Sequence, residues 1–135
     1  MVDGFNISIF VAEINPVQME YTVFNPEYLV NITGGDKATM EEIADIFGSQ
    51  IPEFVTEMKQ LLGQGKFTEL GLLAHKAKGS VTVMGMDDTS KMLKEFELLA
   101  KAGEQKERYD GFIARFEADT SRVIAEITDF LSKNR

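Results

Sequence analysis

The sequence predicts an all-α protein: an antiparallel, up-down four-helix bundle with a short N-terminal helical cap and an N-terminal extension. Three observations lead there. Apolar residues recur every three or four positions through four successive segments, the spacing of a helix with one buried face. The joins between those segments, around 63–65, 85–87 and 103–105, are short, contain glycine and favour antiparallel neighbours. The last segment keeps its spacing throughout, from Tyr109 through Ile113, Phe116, Thr120, Val123 and Ile127 to Phe130.

The elements follow in order. Residues 1–24 read as an extension outside the main fold, with the bundle domain at 25–135; Met19 is a candidate alternative start. A short helical piece is expected near Pro26–Ile32. For the next helix, Thr39 and Glu42 have capping-box spacing and Asp36 is a competing N-cap. Its apolar face runs through Met40, Ile43, Phe47, Ile51, Phe54, Met58, Leu61 and Leu62. Gly48 and Pro52 interrupt it, but the face stays in phase beyond Pro52, so one kinked helix is expected, ending at Gly63 and Gly65. A third segment, 66–84, buries Phe67, Leu70, Leu73, Ala74, Ala77, Val81 and Met84. A fourth starts after Gly85, with Asp87 or Asp88 as N-cap, carries Met92, Leu93, Phe96, Leu99 and Ala100, and stops at Gly103.

Composition excludes several chemistries. The chain has 135 residues and a formal charge of −8, with no Cys and one His. Thiolate metal sites, disulfides and two-histidine metal centres are therefore absent from one copy of the chain. The acid excess argues against nucleic acid, which is bound by clustered Lys and Arg. Five acids and no base fall in residues 1–36, leaving 17 acids and 14 bases for the rest. No apolar run approaches the length of a membrane span, and no base precedes Lys37 to make a secretory leader, so a cytoplasmic protein is expected.

One constellation carries chemistry. Gly71, His75, Lys78, Gly79 and Thr82 stand at helical intervals that place them on one side of the third helix. Each helix-interior glycine costs about 1 kcal/mol relative to alanine, so two beside the only histidine require a reason. Close helix packing is one; unobstructed approach to the imidazole is the other. A histidine serving as a structural cation is expected beside a carboxylate. Here a lysine follows one turn later, which disfavours the imidazolium and can hold an anion next to the ring. The neutral imidazole is the nucleophilic form and a covalent carrier of transferred groups.

The stretch Ala74-His75-Lys76-Ala77-Lys78-Gly79-Ser80-Val81-Thr82-Val83-Met84-Gly85 resembles the signature of the histidine phosphotransfer (HPt) domain family. Gly34-Gly35-Asp36 before a long helix is similar to that family's flanking pattern, as is Phe96-Glu97 ahead of Leu98-Leu99-Ala100-Lys101-Ala102-Gly103. The resemblance covers about residues 26–131 and is closest to free-standing, single-domain members. Two departures stand out: Ala77 where the family usually has Leu, and Val81 where it often has a second Ser.

The resemblance implies a phosphohistidine carrier in a multistep two-component phosphorelay, with no kinase or ATP-binding activity of its own. His75 would accept a phosphoryl group from a receiver aspartyl phosphate and pass it to another receiver. Lys78 would stabilise the phosphate and Gly79 would admit the receiver, with Gly71, Ser80 and Thr82 as docking residues. Gly85 would let the helix end pack tightly. The partners implied are response-regulator receiver domains and hybrid histidine kinases. Mg²⁺ belongs to the receiver's acidic pocket, so no cofactor or metal site is expected in this chain. A monomer is expected, since one bundle buries its own seams. Ile46 and Val83, outside the main apolar stripe, are candidates for a docking patch beside His75. The rival reading is a non-transferring adaptor that binds receivers or kinases, although an adaptor has no use for His75 beside Lys78.

Overall fold

The computed structural model describes residues 21–133. The helices are α1 (Pro26–Thr33), α2 (Lys37–Gly63), α3 (Phe67–Val83), α4 (Asp87–Ala102) and α5 (Tyr109–Lys133), with a single 3₁₀ turn at Lys106–Arg108. No strand occurs among the described residues. α2 packs on α3 and α5, and α4 packs on the same two, closing a four-membered ring of neighbours. The α3–α4 contact is the most extensive, and α1 rests on α2. This is the expected bundle with its helical cap.

Local chemistry explains the boundaries. Asp36 is the N-cap of α2, its carboxylate accepting from the Thr39 amide at 2.9 Å. Thr39 therefore lies inside the first turn. α2 runs unbroken through Pro52. That residue is exposed, so the carbonyl it leaves unbonded at Gly48 is on the wet side of the helix. The cap of α4 differs from expectation. Met86 occupies the N-cap position with no side-chain hydrogen bond, and Asp87 and Asp88 fall in the first turn. Met86 is buried in the core, which draws the chain into the helix one residue early. The two acids instead meet the positive end of the helix dipole.

The core follows the apolar faces. Met58, Leu70, Ala74, Ala77, Val81, Leu93, Phe96, Tyr109, Phe116 and Val123 are fully enclosed. Phe96 stacks on Phe112 with ring centroids 5.0 Å apart. The Tyr109 hydroxyl donates to the carbonyls of Leu99 and Glu104, which fastens the α4–α5 turn to the start of α5. Gly85 takes φ 66° where α3 turns toward α4. A Cβ there would stand 2.6 Å from Asn25 Cβ, so this turn admits glycine on both conformational and steric grounds.

Part of the expected N-terminal extension is seen against the bundle. Tyr21–Phe24 lie on the bundle as an irregular strap, while residues 1–20 of the expected extension fall outside the described residues. Phe24 is buried and sets its ring edge-on to Phe130, as does Tyr21. The anchor is Glu126, a fully buried carboxylate on α5. It accepts the amides of Thr22, Val23 and Phe24, the Thr22 hydroxyl, and the Arg122 guanidinium at 2.7 Å. A periodicity reading assigns Glu126 no role, because a buried acid looks like a gap in the apolar stripe.

Burial opposes ionisation of Glu126, but Arg122 and the strap amides outweigh it and hold the carboxyl at about 2, against an ordinary 4.5. Between those values the unfolded chain binds the proton and the folded chain does not. Stability from this group is thus present above pH 4.5 and lost as pH falls toward 2. Glu126→Gln is expected to lose about 1.5–3 kcal/mol at neutral pH and to show a shallower acid dependence, both read from urea denaturation at a series of pH values.

Candidate functional site

α3 and α4 meet in one antiparallel register that brings three pairs together. Gly71 lies against Lys101, His75 against Glu97, and Thr82 against Ser90. Each step forward on α3 is matched by an equal step back on α4. The functional side chains are therefore placed by two regular helices, not by a loop, and their spacing follows from helix geometry.

His75 is at the centre. Its Nδ1 is 3.0 Å from Glu97 Oε1, and its side chain is 59% exposed. Glu97 is the opposite case, with its side chain only 4% exposed. Its second oxygen accepts from Lys101 Nζ at 2.7 Å. Lys101 is the main influence that holds the Glu97 carboxyl at about 2, with the His75 ring adding to it and burial opposing both. Glu97 is thus ionised at neutral pH and can only accept. The proton on this hydrogen bond belongs to His75 Nδ1. In the neutral ring Nε2 then carries the free lone pair, and among the described residues it has no hydrogen-bond partner.

Beside the ring, the sequence reading named only Lys78. A carboxylate does face His75, supplied by α4. It contacts one nitrogen and leaves the other to solvent, and its charge is shared with Lys101. Lys78 stands one turn beyond His75, half-buried, with no ion pair among the described residues. Gly79 is exposed, and a Cβ added there would meet nothing within 4 Å. The side of the helix past His75 is accordingly open.

The expected docking residues divide. Gly71 is buried, and a Cβ on it would lie 2.7 Å from Lys101 Cγ and 3.0 Å from the Glu97 carbonyl oxygen. It is a close-packing residue between helices and offers no docking surface. Thr82 is exposed and donates to the Lys78 carbonyl at 2.8 Å. Ser80 donates to Gln50 at 3.2 Å and lines a shallow apolar groove of about 310 Å³ between α2 and the end of α3. Ile46 and Val83 lie together in that groove, with Ile32 and Ile43.

Glu97 and Lys101 are the site residues that the sequence reading missed. A signal existed. Glu97 falls on the buried stripe of α4, between Leu93, Phe96 and Ala100, and a base follows it at i+4. An acid on an apolar stripe is a residue with a specific partner.

The two glycines make opposite predictions. Gly79→Ala is expected to raise stability by about 0.5–1 kcal/mol, since it gains helix propensity in open space. Gly71→Ala is expected to lower it by about 1–3 kcal/mol, because backbone atoms of α4 must shift. Thermal unfolding of the two variants side by side distinguishes them.

Residues 42–130 match the family model described as the Hpt domain. No curated protein and no solved structure matched the chain. The matched span covers α3 and α4 whole, with His75, Lys78, Gly79, Glu97 and Lys101 inside it. Family match, all-helical bundle and an imidazole presenting a free Nε2 agree, and the chain belongs to the Hpt domain family.

Proposed function

We propose that this protein is a phosphohistidine carrier in a multistep phosphorelay, taking a phosphoryl group from a receiver-domain aspartyl phosphate onto His75 and passing it to another receiver. The observation that supports this best is the division of labour on the imidazole: Nδ1 donates to a buried carboxylate, while Nε2 is exposed and unbonded.

The chemistry follows from that division. The Nε2 lone pair attacks phosphorus, an N–P bond forms, and the P–O bond to the donor aspartate breaks with its electron pair leaving on the carboxylate. The ring gains positive character in this step while keeping its Nδ1 proton. The Glu97 carboxylate faces that proton at 3.0 Å and stabilises the charge as it develops. Lys78, one turn beyond His75 on the same side of α3, is the cation for the phosphoryl oxygens. Transfer onward is the same step reversed, with a second receiver aspartate attacking phosphorus and Nε2 leaving. Positioning and electrostatics supply the catalysis, and no base is needed to remove a proton from the nucleophile.

The Mg²⁺ of such a transfer sits with the receiver. Gly79 lets the receiver approach, and the groove of Ile46 and Val83 offers it an apolar surface further along the same helix. On this reading the protein is a carrier without kinase activity, working in the cytoplasm with receiver domains and hybrid histidine kinases, and is a monomer. An adaptor that only binds receivers makes no use of an ordered, half-exposed imidazole.

Incubation with a radiolabelled phospho-receiver and Mg²⁺ tests this. Wild type is expected to take label that is lost in acid and kept in alkali. His75→Gln takes none while melting almost as wild type does. Label on His75→Gln would move the site elsewhere, and an unlabelled wild type across a broad receiver panel would favour the adaptor. Lys78→Ala is expected to slow transfer roughly tenfold without unfolding; an unchanged rate would remove Lys78 from the mechanism.

A further inference from the structure

An exposed Glu–Lys pair one turn apart on a helix is usually worth a few tenths of a kcal/mol and decides nothing. The Glu97–Lys101 pair differs in three respects. Its acid is buried, with 4% of the side chain exposed. The acid's other oxygen is already bound to His75. Finally, α3 carries no side chain at Gly71, where a Cβ would collide with the Lys101 stem at 2.7 Å. A glycine in mid-helix is costly, and here it clears the path that the lysine takes to the carboxylate.

We propose that Lys101 is a positioning residue for phosphotransfer: it holds the Glu97 carboxylate in the orientation that keeps a His75 proton on Nδ1 and leaves Nε2 as the nucleophile, and Gly71 provides its clearance. This rests on the phosphotransfer reading of His75. A buried carboxylate alone against an imidazole favours the imidazolium, which has no lone pair to attack phosphorus. A carboxylate free to turn would also lose its aim at Nδ1. Lys101 counters both effects. It brings a positive charge to the far oxygen and fixes the plane of the near one. Lys76 and Lys78 on α3 and Lys94 on α4 are cations without ion pairs among the described residues. None of them touches Glu97, so none replaces Lys101.

His75 is the only histidine, so its ring nitrogens are read without assignment from ¹⁵N-histidine-labelled full-length protein. Ring spectra at pH 7 and initial rates of label uptake from a phospho-receiver are compared for wild type, Lys101→Met, Lys101→Gln and Lys101→Arg. Wild type is expected to show the neutral Nδ1–H form. Met and Gln are expected to lose it, to imidazolium or to the other tautomer, with uptake slowed roughly three- to tenfold; Arg keeps both. Three results would overturn the proposal: an unchanged ring spectrum in Met and Gln, a slowed rate without a spectral change, or a spectral change without a slowed rate. Loss of helical circular dichroism in both uncharged variants would also overturn it, by making Lys101 a structural residue. A wild type with the expected ring spectrum that takes no label from any receiver would instead defeat the phosphotransfer reading and leave the Lys101–Glu97–His75 linkage standing.

Discussion

A single buried carboxylate organises the working part of this molecule. Glu97 sits in the most extensive helix–helix contact of the bundle and is almost fully buried, so its charge must be met by protein groups. Lys101 and His75 meet it, one on each oxygen. That requirement accounts for a base at position 101 and for the bare backbone at Gly71 opposite it. It also determines which nitrogen of the histidine is spoken for. An imidazole on an isolated helix would rotate and exchange tautomers. Here the ring is oriented before any partner arrives, which is the preorganisation that transfer chemistry demands.

Glu126 repeats the theme at the other side of the fold. It too is a buried carboxylate met on both oxygens, but its partners are backbone amides, the Thr22 hydroxyl and an arginine. It thus holds chain in place and leaves no titratable ring exposed. The comparison shows how one residue type performs either task. A carboxylate that binds fixed amides fastens structure, whereas one that binds an imidazole with a free face governs reactivity.

Much of this was legible in the residues. The core stripe of α5 emerged from its spacing, because every side chain from Tyr109 to Ile127 on that face had only the bundle interior to occupy. The passage of α2 through Pro52 was legible too, since the apolar face stays in phase, whereas its cap was left between Thr39 and Asp36, which differ only in where the first turn closes. His75, Lys78 and Gly79 stood out as one face because helical intervals are short-range. The remainder depended on tertiary partners. Glu97 gains its meaning only from α3, which lies 22 positions away in sequence. Gly71 belongs to the same blind spot: its place on the His75 face suggested an open surface, and only the arrival of the Lys101 stem shows it to be packing. The Tyr21–Phe24 strap has no periodicity and is bound to a residue more than 100 positions downstream. The α4 cap was misplaced because Met86, not an aspartate, is drawn inward by the core.

That strap has a consequence for how the molecule assembles. Its bonds to Glu126 span 102 to 104 residues, nearly the whole described chain, whereas the α3–α4 pairs join residues 8 to 30 apart. Loop-closure entropy favours the short-range hairpin early and leaves the strap until the bundle itself has brought α5 within reach of it. The order of opening runs the other way, from the strap inward. Loop-closure entropy thus places the histidine and its carboxylate in a part of the fold that forms ahead of the strap, so opening of the Tyr21–Phe24 strap leaves the reactive ring in register.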